Sequence, residues 1–123
     1  MFEPSAVVLY VDNMTVSRNF YQNLLGIKAE ELSPAFNKFT LSNGMELGLK
    51  TKHTVEPAPN NTGSGELAFT LNNNNQVDVL FAKWQKEGIK FAQNPTALCF
   101  GYTFLAQDPD GNRLRVVSLG TSA

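Results

Sequence analysis

The chain has 123 residues, of which 42% are hydrophobic, 17% charged and 11% aromatic, and its formal net charge is −1. That length supports a hydrophobic core without disulfide or metal staples, while the balanced charge and the lack of any Lys/Arg run exclude an electrostatic draw on nucleic acid. No apolar stretch approaches the roughly 20 residues of a membrane span, and Cys99, the single cysteine, excludes an internal disulfide.

The start, Met1-Phe2-Glu3-Pro4, has neither a basic nor an apolar leader segment, so the expected compartment is the cytoplasm. Ala6-Val7-Val8-Leu9-Tyr10-Val11 is β-branched and aromatic and reads as a buried strand. Asn13 or Thr15 then offers an N-cap. Phe20, Tyr21, Leu24 and Leu25 recur at helical spacing, and Gly26 stands where a C′ glycine ends a helix. Three short strands follow, at about 27–31, 36–42 and 45–51. Ser33-Pro34 breaks the first pair, and Asn43-Gly44 predicts a type I′ hairpin between the second. Residues 6–51 thus read β-α-β-β-β.

Residues 52–64 hold Pro57, Pro59, Asn60, Asn61 and Gly63 and read as a linker. His53, the one histidine, is expected there as a solvated side chain. Asn60-Asn61-Thr62 matches a glycosylation sequon, which without a secretory signal is read as chance.

The order then begins again. Residues 65–71 read as a strand, and Asn75 is expected to cap a helix with Asp78 as its capping-box partner. Val77, Leu80, Phe81 and Trp84 share one face of that helix, and Gly88 ends it. A strand over 89–93 is expected to stop at Asn94-Pro95. Cys99, next to Phe100, is expected as a small buried hydrophobe. The last hairpin spans 101–118, with Asp108-Pro109-Asp110-Gly111 as its turn between period-2 runs. Residues 65–118 also read β-α-β-β-β.

Three residue matches support a duplication. Leu9-Tyr10-Val11 matches Phe69-Thr70-Leu71, Gly26-Ile27-Lys28 matches Gly88-Ile89-Lys90, and Asn43-Gly44-Met45-Glu46-Leu47 matches Asp110-Gly111-Asn112-Arg113-Leu114. Their offsets of 60, 62 and 67 agree within a small insertion. An internal repeat outranks local readings when the fold is assigned. The expectation is a single α+β domain over 1–123: module one at 6–51, the linker at 52–64, and module two at 65–118.

Two such modules, the second ending in FLAQDPDGNRLRV, resemble the vicinal oxygen chelate superfamily of glyoxalase I, bleomycin-resistance proteins and extradiol dioxygenases. Val11-Asp12-Asn13-Met14 with Ser17, Phe20-Tyr21 and Leu25-Gly26 is similar to its first-module signature, and Asp108-Pro109-Asp110-Gly111-Asn112 to its second. The resemblance implies cupped mixed β-sheets with helices outside. Gly101-Tyr102-Thr103-Phe104 is most similar to the antibiotic-sequestering, bleomycin- or phenazine-resistance type.

Carried over from the superfamily's metal enzymes, the ligand positions fall on Ala6, Gly48, Glu66 and Arg115. A catalytic metal needs about three His or carboxylate ligands, and of these four only Glu66 qualifies. The resemblance therefore implies no metal, no other cofactor and no metal-assisted enzyme chemistry. It implies a protein that sequesters a small planar or aromatic compound in the apolar cleft of a homodimer, with no nucleic-acid or membrane partner. Phe36, Phe39, Leu49, Phe100, Tyr102 and Phe104 are the expected cleft walls, each with core packing as its alternative. Glu66 and Arg115 are expected to approach each other on the cleft floor, with Arg115 offering its planar fork to an anionic ligand group. The rival classes are a glyoxalase-like lyase or isomerase, a dioxygenase-like enzyme, and a structural dimer with a filled cleft.

Overall fold

In the computed structural model, which describes residues 2–119, the β-α-β-β-β order occurs twice. Residue 1 and residues 120–123, the ends of the expected domain, lie outside the described residues. The chain divides into two compact units, Met1–Gly63 and Ser64–Ala123. Each contains one mixed four-stranded sheet and one α-helix, an α+β fold built of tandem modules.

In the first unit β1 (Ala6–Val11), β2 (Glu30–Ser33), β3 (Phe36–Thr40) and β4 (Glu46–Thr51) form a sheet in the order β1-β4-β3-β2. The β1–β4 pair is parallel and the other two are antiparallel. Helix α1 (Met14–Leu25) is capped by Asn13, whose Oδ1 accepts from the Val16 N–H at 3.0 Å. It ends at Gly26, left-handed with φ 71°. Leu9, Val11, Phe39, Leu47 and Leu49 are buried with Tyr21 of α1, which meets Phe39 ring to ring at 6.4 Å.

In the second unit β5 (Glu66–Leu71), β6 (Lys90–Leu98), β7 (Gly101–Gln107) and β8 (Arg113–Leu119) repeat that topology as β5-β8-β7-β6. Helix α2 (Asn74–Lys86) packs Val77, Phe81 and Trp84 against the sheet. Phe104 is the hub, with ring centroids 5.4 Å from Phe81, 5.6 Å from Trp84 and 5.6 Å from Phe91. The duplication extends to hydrogen bonds. Leu41 N–H donates to Met45 O and Gly44 N–H to Leu41 O, and 67 residues on Asp108 N–H donates to Asn112 O and Gly111 N–H to Asp108 O.

Five local expectations are corrected. The Asn43-Gly44 turn is not type I′, because that turn needs positive φ at both central residues and here only Gly44 has it, at 91°. Leu41 and Met45 close a three-residue connection with a left-handed glycine at its end. Strand β2 begins at Glu30 rather than residue 27; the Ala29 N–H donates to Gln22 Oε1 of α1, which ties the preceding segment to the helix end. Asn73 rather than Asn75 caps α2, its Oδ1 accepting from Gln76 N–H while Gln76 Oε1 accepts from Asn72 N–H. Strand β6 continues through Pro95 to Leu98, because the proline falls in the register shift between Gln93 and Thr96, where no ladder N–H is needed. Cys99 is exposed in the short β6–β7 connection instead of buried.

Candidate functional site

Period-2 alternation puts two sets of side chains on each sheet, and the helix selects which set is core. In the second unit Phe104 and Ala106 of β7, with Leu114 and Val116 of β8, lie on the α2 side. Thr103 and Leu105, with Arg115 and Val117, therefore lie on the face away from α2.

Arg115 is the centre of that far face. Its Nε donates to Glu66 Oε2 at 3.1 Å, an ion pair between adjacent parallel strands. Its Nη1 donates to Thr103 Oγ1 at 3.2 Å. Thr103 is fully buried, and its own hydroxyl donates to Val116 O at 2.8 Å, so the oxygen that receives the guanidinium is fixed. The Phe100 ring covers the guanidinium, with Arg115 Cζ 5.3 Å from the ring centroid. Ionic, hydrogen-bond and cation–π contacts thus hold one planar cation in one orientation.

The first unit has the same positions with different chemistry. By the 67-residue offset of the hairpin turns, Gly48 corresponds to Arg115 and Phe36 to Thr103. Here too the two positions touch: a Cβ built on Gly48 would lie 3.0 Å from Phe36 Cε1 and 3.2 Å from Phe36 Cζ. Beyond this contact Lys38 Nζ donates to Glu46 Oε2 at 2.9 Å, and that hydrogen bond with the Glu46 charge raises the Lys38 pKa above its ordinary value.

The residues expected as cleft walls and floor divide between faces. Phe36, Glu66, Phe100 and Arg115 belong to the far faces just described. Phe39 and Leu49 are completely buried on the α1 side, and Phe104 is completely buried beneath α2. Tyr102 also turns to the helix side, its hydroxyl donating to Asp78 Oδ1 of α2 at 2.6 Å; that bond first, then burial, raises its pKa. Asp78 is therefore tied to β7 and not to the helix cap. Thr103 was not among the expected site residues; its alternation with Tyr102 and Phe104 sets it on the opposite face from them, and only the packing of α2 on Phe104 shows which face is which. His53 is exposed and lies in a 3-10 turn over Lys52–Thr54, with Nε2 3.4 Å from Asp12 Oδ1.

The whole chain between residues 4 and 116 matches the Glyoxalase/Bleomycin resistance protein/Dioxygenase superfamily. The chain belongs to this superfamily. The phenazine antibiotic resistance protein EhpR of Enterobacter agglomerans is 30% identical over 119 residues, covering 94% of this chain and 92% of that one. A protein of Agrobacterium tumefaciens, solved by solution NMR, is 49% identical and superposes with a TM-score of 0.89, over 98% of this chain and 100% of that one. A glyoxalase/bleomycin resistance protein/dioxygenase from Nocardioides shares the fold at a TM-score of 0.84 and 20% identity, over 100% of this chain and 87% of that one.

Of the four positions carried over from the superfamily's metal enzymes, only Glu66 bears a metal-ligating group. Arg115 brings a fixed positive charge, its neighbour Glu66 is engaged by it, and the place beside Gly48 is taken by the Phe36 ring. Among the described residues no three His, Cys, Asp or Glu side chains cluster as a metal site requires, and no helix is long and apolar enough to cross a membrane.

Proposed function

We propose that the chain is a metal-free cytoplasmic binding protein that sequesters a small planar or aromatic compound, acting as a homodimer and without chemical turnover. The observation that carries this reading is the Arg115 assembly. At a position where the superfamily's metal enzymes are expected to hold a carboxylate ligand, this chain holds a guanidinium fixed by Glu66 and Thr103 and covered by Phe100. A planar cation stacked on an aromatic ring suits the recognition of a flat, electron-rich or anionic ring system. The relative named for phenazine antibiotic resistance supports the same class of compound.

A thermal-shift screen tests it, using phenazine-1-carboxylate, other planar tricyclic compounds and non-planar antibiotics as probes. A ligand at 100 times its Kd stabilises by about 2.7 kcal/mol, which for a chain of this size raises Tm by roughly 10 °C. The planar compounds should give shifts of that order and Arg115→Ala should reduce them. Unchanged Tm with every planar compound, or turnover of a hemithioacetal by the purified protein, would overturn the reading.

A further inference from the structure

The contact between positions 36 and 48 is the counterpart of the one between Thr103 and Arg115, yet it serves no charge and no hydrogen bond. Gly48 is not a turn glycine. It lies inside β4, paired with Val8 on one side and Lys38 on the other, and it is not among the glycines with positive φ. Glycine within a strand weakens it and marks close approach of another group to the backbone. That group is the Phe36 ring, with Val8 Cγ2 next to it, 3.4 Å from where a Cβ on Gly48 would be. A Cβ at this position would meet the ring edge at 3.0 Å, so the ring must give by a few tenths of an ångström for alanine and by more for any larger residue.

Phe36 itself is only half-buried, and Val8 beside it is 46% exposed. Phe39, three residues on, is by contrast completely buried against α1. Phe36 therefore lies on the face away from the helix, with its ring edge seated on bare backbone and part of its surface uncovered.

We infer that Phe36, Gly48 and Val8 form a stacking platform for a planar, uncharged aromatic ring, and that Gly48 is the positioning residue that sets the depth of the Phe36 ring. The inference rests on the binding function proposed above and adds a subsite in the first unit. Aromatic rings associate by offset stacking or edge contact over a flat apolar surface. A ring seated on glycine gives that surface with little freedom to reorient.

The experiment uses the full chain and phenazine, which has no charged group, followed by isothermal titration and by NMR shifts of the Phe36 ring, Gly48 Hα and Val8 methyl signals. Binding with shifts at these three residues is the expected result. Gly48→Val should weaken binding at least tenfold, Gly48→Ala less, and Phe36→Leu at least tenfold. The double variant Gly48→Val/Phe36→Leu should be no weaker than Phe36→Leu alone, because a ring that is gone cannot be displaced. Binding with shifts confined to Phe100 and Arg115 would overturn the platform while leaving the binding function standing. No binding of any planar probe would overturn both. If Gly48→Val does not fold, Gly48→Ala and Phe36→Leu decide, and full affinity in either one overturns the platform.

Discussion

At Arg115 a position expected to hold a metal-binding carboxylate carries a cation, and the surrounding residues are arranged to neutralise it. The Arg115 side chain is 20% exposed and that of Glu66 is 42% exposed, so solvent screens the pair substantially. Its coupling should be that of a surface bridge with good geometry, about 0.5–1 kcal/mol. Arg115→Ala removes the pair, the Thr103 bond and the Phe100 stack together, whereas Glu66→Ala leaves the guanidinium its other two partners. In urea unfolding the double variant should therefore lose less than the sum of the single ones. Strictly additive losses would show that the ion pair contributes nothing to stability. The approach of these two residues was legible in the sequence, because the repeat and the family signature assign both to one site. Thr103 was not, since nothing in a period-2 pattern says which of two adjacent residues turns toward the helix.

That ambiguity of phase is also the lesson at the scale of elements. In β7, Tyr102, Phe104 and Ala106 alternate with Thr103, Leu105 and Gln107, and both sets contain apolar side chains. The aromatic set is the plausible binding wall by composition, yet α2 claims it as core: Phe104 lies among Phe81, Trp84 and Phe91, and Tyr102 reaches Asp78. Helix faces are easier to read than strand faces, since the 3.6-residue period concentrates apolar residues on one stripe. Val77, Phe81 and Trp84 accordingly pack as expected. Trp84 is 4% exposed and meets Phe69 at 6.2 Å as well as Phe104. Trp84→Ala should cost about 3–5 kcal/mol, the range for deleting a large buried aromatic side chain. Chemical denaturation measures it, and a loss below about 1 kcal/mol, within the range of surface substitutions, would contradict the packing described here. Hairpin positions were legible from their turn residues, whereas the turn type at Asn43-Gly44 and the cap choice within the Asn72–Asn75 run were not. Four adjacent asparagines are equally good caps, and only Gln76, which closes the reciprocal bond to Asn72 N–H, picks out Asn73.

At the scale of the molecule, each unit covers one face of its sheet with its single helix, and the two ends of each sheet are treated differently. Strands β2 and β6, at one end of their respective sheets, carry register shifts, and β6 also contains Pro95. Bulges and proline discourage pairing with another strand. Strands β1 and β5, at the opposite ends, are regular six-residue strands without either device. Apolar side chains also stay exposed on the strands, among them Val7, Leu98 and Leu119. Regular edges together with exposed apolar residues favour burial against another chain, and closed twofold symmetry is the commonest way to achieve it. These features support the proposed homodimer, which has a simple consequence. Light scattering at micromolar concentration should return twice the chain mass of 13.5 kDa, and Leu98→Lys, which places a charge in the exposed apolar surface, should shift the population toward the single chain. A species of 13.5 kDa for the unmodified protein would remove the dimer from the proposed function while leaving the Arg115 assembly and the Phe36 platform to be judged by their own binding experiments.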